Sequence, residues 1–386
     1  MSTTTILIAG GGTGGHVFPA LAVAEALRAV ADVEVVFCGT DRGMEKHVVP
    51  ERGFRLERLV VDPIRGRGLA GAARGMLTAA RATLHSFETL RAADPDAVLS
   101  VGGYAAGPVT LAARLRGLPI ALLEPNCAAG ITNRVLGPFA QRAYVACEEV
   151  AGVFPRNSIR VYGVPLRPGF SPRMSATGGP PRLLVMGGSQ GSAALNERVP
   201  LAIGRLAASG RSVRGVHQAG RGREGEVREA YARAGVQGIT VSGFVEDIAS
   251  AIADADLVIA RAGAGTIAEI AAIGRASILV PYPRATDDHQ ARNAEALSRQ
   301  GAAVWVRQED AGPERLAGEI DRLLYDEAFR AKMAAAARAR GRPDAARDVA
   351  IDLLGLAGGT LRVAPMAQGK DGKMLLANAS AARRVG

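Results

Sequence analysis

Two side chains stand where glycine-rich turns would hand them to a ligand. His16 closes the run GGGTGGH at residues 10–16, and Glu269 closes RAGAGTIAE at 261–269. A neutral imidazole at a helix start can take a proton from a hydroxyl, because the positive end of the helix dipole keeps it uncharged. A carboxylate one turn into a helix can accept hydrogen bonds from ribose hydroxyls while the first N–H groups, here those of Ala264, Gly265 and Thr266, hold a diphosphate. Two further turns of the same make, GGYAAGP at 102–108 and GGSQGS at 187–192, also follow apolar runs. Four such turns at strand ends point to one shared cleft for anions and sugars. For the single residues a plainer role stays open: His16 as a brace of its turn, Glu269 as a carboxylate favoured by the helix dipole.

Gly10, Gly12 and Gly15 satisfy the dinucleotide pattern G-x-G-x-x-G, which makes a nicotinamide cofactor the first chemistry to test. That pattern needs an acidic residue at the end of the next strand to hold a ribose. Here the run 33–37 ends in Cys38-Gly39, and Asp41 comes too late. The turn is expected to hold phosphate or pyrophosphate without NAD, and a dehydrogenase lacks its clamp. Among the other histidines, His217 is expected to pack beneath a loop and His47 and His85 to lie on the surface. His289, beside Gln290, stands evenly between a sugar contact and none. The pairs Asp94/Asp96 and Asp254/Asp256 invite a metal-binding reading, yet each stands just before a strand. Both are read as structural, and no metal or other cofactor is expected.

The elements that must carry these residues alternate along the chain. Short apolar, β-branched runs at 6–9, 33–37, 97–101, 120–123 and 143–146 are separated by Ala/Leu/Arg stretches of helical period. Strands with no wet face imply a parallel sheet covered by helices on both sides. Gly and Pro crowd residues 163–181, and the grammar then restarts with RLLVMGGSQGSAALN at 182–196 and strands at 215–218, 239–242, 257–260 and 277–280. The expectation is an α/β chain of two Rossmann-like parallel-sheet domains facing across a cleft: residues 1–163, a linker at 164–181, and 182–357 with its last helix free to cross back. Residues 358–386 read as a flexible basic tail.

Composition narrows the partners. The 386 residues carry 47 Lys+Arg against 37 Asp+Glu, a net charge of +10 that favours anionic partners. Only 4% are aromatic and no basic stretch interleaves with aromatics, so nucleic acid is not expected. Cys38, Cys127 and Cys147 show no C-x-x-C spacing, suggesting neither zinc nor a disulfide framework and a reducing compartment. The first apolar run lacks a basic leader and is soon broken by glycine, unlike a signal peptide. No run reaches eighteen apolar residues, so membrane contact would be peripheral. Residues 63–87 hold no acid, and Arg65, Arg67, Arg74 and Arg81 flank a helical stripe of Leu69, Ala73, Met76, Leu77, Ala80 and Leu84. An interfacial helix on an anionic leaflet needs such a face, and Met76 with Leu77 is expected at the centre of an exposed patch. The alternative is that the stripe packs on the sheet.

The segments GGTGGHVFPALAVAEAL, SVGGYAAGP, EPN-x5-TN, GVPLR, GGSQGS-x3-N, HQAG and RAGAGTIAEIAAIGRASILVPYP-x6-HQ-x2-NA resemble, in order and spacing, the MurG family of undecaprenyl-diphospho-muramoylpentapeptide N-acetylglucosaminyltransferases of peptidoglycan synthesis. The resemblance runs from about residue 6 to about residue 345. It implies a GT-B fold and inverting transfer of N-acetylglucosamine from UDP-GlcNAc to the C4 hydroxyl of the lipid-linked muramoyl-peptide (lipid I), on the cytoplasmic face of the plasma membrane. It also implies donor contacts at Thr13, Gly14, Gly15, Asn126, Arg167, Ser189, Val245, Gln290 and the run Ala264, Gly265, Thr266, Ile267, Ala268, Glu269. Gly103, Tyr104 and Glu124 would meet the acceptor. Leu123 stands where some members have histidine, Pro125 where they have glutamine, Val164 where they have asparagine, and His289 where they have glutamine. These departures leave His16 as the candidate base. A non-catalytic binder of nucleotide sugars, or a UDP-GlcNAc 2-epimerase on the same fold, are the rival readings.

Overall fold

The computed structural model describes residues 3–59, 69–103, 105–173, 179–188 and 190–362; for 69–77 and 79 it describes the backbone alone. The first half comprises β1 (Thr4–Gly10), α1 (Gly14–Val30), β2 (Val33–Gly39), α2 (Glu45–Glu51), β3 (Arg55–Arg58), α3 (Leu69–Ala93), β4 (Ala97–Gly102), α4 (Ala106–Leu115), β5 (Ile120–Glu124), α5 (Ile131–Leu136), β6 (Arg142–Val145) and β7 (Ile159–Arg160). The second comprises β8 (Arg182–Met186), α6 (Ala193–Ala208), β9 (Arg214–Gln218), α7 (Glu224–Arg233), β10 (Ile239–Ser242), α8 (Ile248–Asp254), β11 (Leu257–Ala260), α9 (Ala264–Ile273), β12 (Ala276–Leu279), α10 (His289–Ser298), β13 (Val304–Trp305), α11 (Pro313–Tyr325), α12 (Glu327–Arg340) and α13 (Ala345–Leu356).

The strands form two parallel sheets, ordered β3-β2-β1-β4-β5-β6-β7 and β10-β9-β8-β11-β12-β13. Each is covered on both faces because successive strand residues point opposite ways. Ile6 and Ile8 pack with Val23, Leu27 and residues of α13, while Leu7 and Ala9 pack with Leu90, Val109 and Ala112. Leu183 and Val185 divide from Leu184 and Met186 in the same manner. The central strands fall where the apolar runs predict them. The short edge strands β3, β7 and β13 were not legible, being only partly buried or exposed along their length.

The second aspartate of each pair is structural, and in the same way in both halves. Asp96 takes the Thr5 N–H on its carboxylate at 2.8 Å and returns its own N–H to Thr5 O; Asp256 does the same with Arg182. Leu166 and Phe170 of the expected linker pack into the second domain. α13 crosses back to the first: Val349, Ala350, Leu353 and Leu354 join its core, and Asp352 accepts hydrogen bonds from Arg142 at 2.8 Å and the Tyr144 hydroxyl at 2.9 Å. The second domain therefore ends before α13. Most of the expected basic tail lies outside the described residues.

One expectation fails. Cys127 and Cys147 are joined in a disulfide, their Cα atoms 5.2 Å apart, while Cys38 is free and buried. Twenty residues separate the pair in sequence, but the parallel order sets the loop after β5 beside the end of β6, and only the fold brings them together. The inference from cysteine spacing to a reducing compartment loses its footing. The pair also belongs to the one cluster of metal-ligand side chains among the described residues, with Glu149, and there the sulfurs are bonded to each other.

Candidate active site

A cleft of about 790 Å³ lies between the domains, lined from the first by Thr13, Gly15, His16, Gly102, Gly103, Glu124 and Asn126 and from the second by Gly263, Ala264, His289 and Gln290. On the first wall β1 and β4 end in Gly10 and Gly102, and on the second Gly263 caps α9 three residues after β11.

On the first wall the turn after β1 folds inward. Gly10 and Gly12 adopt φ of +143° and +95°, and a Cβ on Gly10 would lie 2.3 Å from Gly102 O. Glu45 fills the turn from behind. It is 1% exposed, accepts the Gly12 N–H at 2.7 Å, and takes the Thr40 N–H and hydroxyl at 3.0 Å each. An internal carboxylate thus braces the Gly11–Gly12 part of the loop, while α1 beyond it starts with no side-chain cap and no acid in its first turn. The braced loop presents His16. The ring rests on Gly102, where a Cβ would come 2.9 Å from the imidazole, and Nδ1 has no hydrogen-bond partner. Burial pushes the His16 pKa below its ordinary value, against the charge of Glu124 and the backbone at Val101. At neutral pH the ring is uncharged.

Glu124 is 3% exposed, and its oxygens serve its own loop. Oε1 accepts from Asn126 N at 3.0 Å and Asn126 Nδ2 at 3.3 Å; Oε2 accepts from Gly130 N at 2.8 Å and Asn133 Nδ2 at 2.9 Å. It organises the loop 124–133 and puts a negative charge near His16. Gly103 must be glycine: φ is +90° and a Cβ would meet Gly11 O at 2.4 Å. Of the neighbouring glycines, Gly15 faces the cleft whereas Gly14 is packed on Phe18.

The second wall is open. α9 begins at Gly263 with no side-chain cap and no acid in its first turn, so the N–H groups of Ala264, Gly265 and Thr266 have no intrahelical partner. Ile267 and Ala268 instead line a separate crevice of about 100 Å³ beside the disulfide, so from that run they offer backbone only. Glu269 is pushed up to about 7 by burial, with Arg167 the one charge opposing the shift. Phe244 is 45% exposed with the Arg221 guanidinium 5.4 Å from its ring, and Val245 is half-buried next to it. Gln290 accepts the Tyr282 N–H on Oε1 at 2.9 Å, which leaves its NH₂ as a donor. His289 is half-buried, its Nδ1 2.7 Å from Thr286 O.

His217 is structural, as its position suggested: fully buried, with Nδ1 2.9 Å from the Tyr231 hydroxyl and Nε2 3.1 Å from Asn196 Oδ1, and pushed down to about 4. Tyr104 and Ser189 lie outside the described residues, as do the side chains of Met76 and Leu77. Glu45 and Asn293 were not singled out from sequence. A turn rich in free N–H groups must find acceptors somewhere, and that requirement is the signal that could have pointed to a buried acid such as Glu45.

The glycosyltransferase family 28 N-terminal domain matches residues 6–145, and the family 28 C-terminal domain matches residues 182–349. The chain is 51% identical over 362 residues to the UDP-N-acetylglucosamine–N-acetylmuramyl-(pentapeptide) pyrophosphoryl-undecaprenol N-acetylglucosamine transferase of Sorangium cellulosum (strain So ce56), covering 92% of this chain and 88% of that one. It is 43% identical to the enzyme of the same name from Xanthomonas campestris pv. campestris (strain 8004), covering 92% and 83%. The crystal structure of Acinetobacter baumannii MurG superposes with a TM-score of 0.77 at 34% identity, covering 91% of this chain and 99% of that one. This glycosyltransferase with a GT-B fold belongs to the family of UDP-N-acetylglucosamine–N-acetylmuramyl-(pentapeptide) pyrophosphoryl-undecaprenol N-acetylglucosamine transferases, the MurG family.

Proposed function

We propose that the chain moves N-acetylglucosamine from UDP-GlcNAc to the C4 hydroxyl of undecaprenyl-diphospho-muramoylpentapeptide, with inversion at the anomeric carbon. The observation that carries this reading is the pairing of the two walls: an uncharged imidazole with a free Nδ1 on one and an uncapped helix start on the other. His16 takes the proton of the attacking hydroxyl. The new C–O bond forms on the face opposite the UDP–sugar bond, whose electron pair leaves with UDP. The N–H groups of Ala264, Gly265 and Thr266 meet the charge that develops on the diphosphate. Glu269 and Arg167 hold the ribose, the backbone at Val245 reads the uracil, and the Gln290 NH₂ donates to the sugar. Thr13 and Gly15 lie where donor and acceptor meet, and Gly103 lines the acceptor side.

The acceptor's lipid stays in a bilayer, so the enzyme must come to it. No helix among the described residues is long and apolar enough to cross a membrane. α3, α4, α5 and the turn after α5 instead expose Leu84, Leu111, Leu115, Ile131, Val135 and Phe139, with Arg81, Arg114, Arg116 and Arg134 exposed among them. Apolar side chains ringed by arginine suit the cytoplasmic, anionic leaflet of the plasma membrane.

The test supplies UDP-GlcNAc with and without the lipid-linked muramoyl acceptor. A β-linked disaccharide on the lipid, formed only with acceptor, supports the proposal. An altered sugar released without acceptor would favour an epimerase, and binding without turnover a sensor.

A further inference from the structure

One buried side chain joins the two walls. Asn293 sits in the second turn of α10, one turn beyond Gln290, and is 4% exposed. Its Oδ1 accepts the Cys127 N–H at 2.8 Å. A backbone N–H can only donate, so the amide orientation is fixed and Nδ2 must be the donor on the other side. That nitrogen donates across the cleft to Asn126 Oδ1 at 3.1 Å and within its own domain to Ala262 O at 3.3 Å. Asn126 passes the sequence on, donating through Nδ2 to Glu124 Oε1 at 3.3 Å, and Glu124 bears electrostatically on His16.

Each donor in this series has its acceptor and the hydrogen bonds run in one direction. Reversing any amide would set a donor against a donor inside the protein, which is costly. Ala262 immediately precedes Gly263, the N-cap of α9, so Asn293 holds the turn that an anion would occupy. The Cys127–Cys147 disulfide anchors the far end of the same contact. Whatever fixes the 262–266 turn must therefore tighten the loop 124–130.

We infer that Asn293 is a positioning residue that couples occupancy of the diphosphate turn to the acceptor-side loop beside His16. The inference rests on the proposed donor site only for the place where the anion sits. The probe is UDP, added to the full chain while amide exchange of Cys127 is followed, with UDP affinity measured in parallel. UDP is expected to slow that exchange at least threefold in the wild type. In Asn293→Ala the slowing disappears in protein saturated with UDP. Asn293→Asp, which keeps the size and the Oδ1 acceptor but cannot donate, behaves as Ala does, and Asn126→Ala breaks the series from the other side should both position-293 variants fail to fold. Undiminished slowing in the variants, no slowing in UDP-saturated wild type, or loss of UDP binding with Asn293 would each overturn the coupling. A wild type that binds UDP and shows the coupling yet transfers no sugar would sink the proposed reaction alone; no UDP binding at all would sink both.

Discussion

The turn after β1 and the turn after β11 both lead through glycine into an uncapped helix, yet they are braced differently. The first is filled from inside by Glu45, which takes the Gly12 N–H. The second keeps the first N–H groups of α9 uncapped. Both helices start without a side-chain cap or a first-turn acid, so the turns differ in what stands behind their glycines: in the first, a buried carboxylate braces the Gly12 amide and fixes the loop that carries His16. The comparison also separates roles, with chemistry expected on the first wall and donor affinity on the second.

The largest break in that division should come from the base. His16→Ala is expected to lose roughly 10² to 10⁴ in kcat, the usual worth of positioned proton transfer, and steady-state assays at saturating donor and acceptor would read it. Turnover near the wild-type rate in a folded His16→Ala protein would move the base elsewhere. Next, Glu269→Ala should raise the donor KM about tenfold or more, since hydrogen bonds to a charged group are worth roughly 1.5–3 kcal/mol. The acceptor KM should hardly change.

Glu45→Ala tests whether the first turn is braced rather than open. Removing a buried carboxylate that satisfies three donors should cost about 3 kcal/mol of stability, seen as a lower denaturant midpoint. Added UDP should not restore it, whereas a turn that normally bound the diphosphate would be rescued. The pH profiles should divide the same way. Glu269, raised to about 7, loses its anionic form as pH falls through 7, so the donor KM should rise there, by at most tenfold per pH unit. His16, lowered by burial, becomes protonated only below the ordinary histidine range, so kcat should stay flat through 7 and fall at lower pH. The smallest effect is expected at the surface: replacing Ile131 and Val135 by serine should weaken binding to anionic vesicles severalfold and leave turnover on a detergent-dispersed acceptor unchanged.

Much of this was legible from residues alone because central strands must be apolar on both faces and their turns must be glycine. The two parallel sheets, the glycine turns that gather His16, Gly103 and Ala264 at one cleft, and the structural use of Asp96, Asp256 and His217 follow from local pattern, whereas the strand order came only with the fold and Asn126 and Gln290 only with the family resemblance. What escaped depends on pairs distant in sequence. RLER at β3 carries no apolar signal, Cys127 and Cys147 meet only through the parallel order of β5 and β6, and α13 reveals its domain only by packing on α1. Asn293 could be quoted in a motif, but a side-chain amide shows what it bridges only when both of its partners are in place.

The division of labour is tested most directly by calorimetric titration of UDP into wild type, His16→Ala and Glu269→Ala under identical conditions. The account predicts that His16→Ala binds UDP as the wild type does while Glu269→Ala binds at least tenfold more weakly. Equal affinity in all three, or a loss confined to His16→Ala, would contradict it.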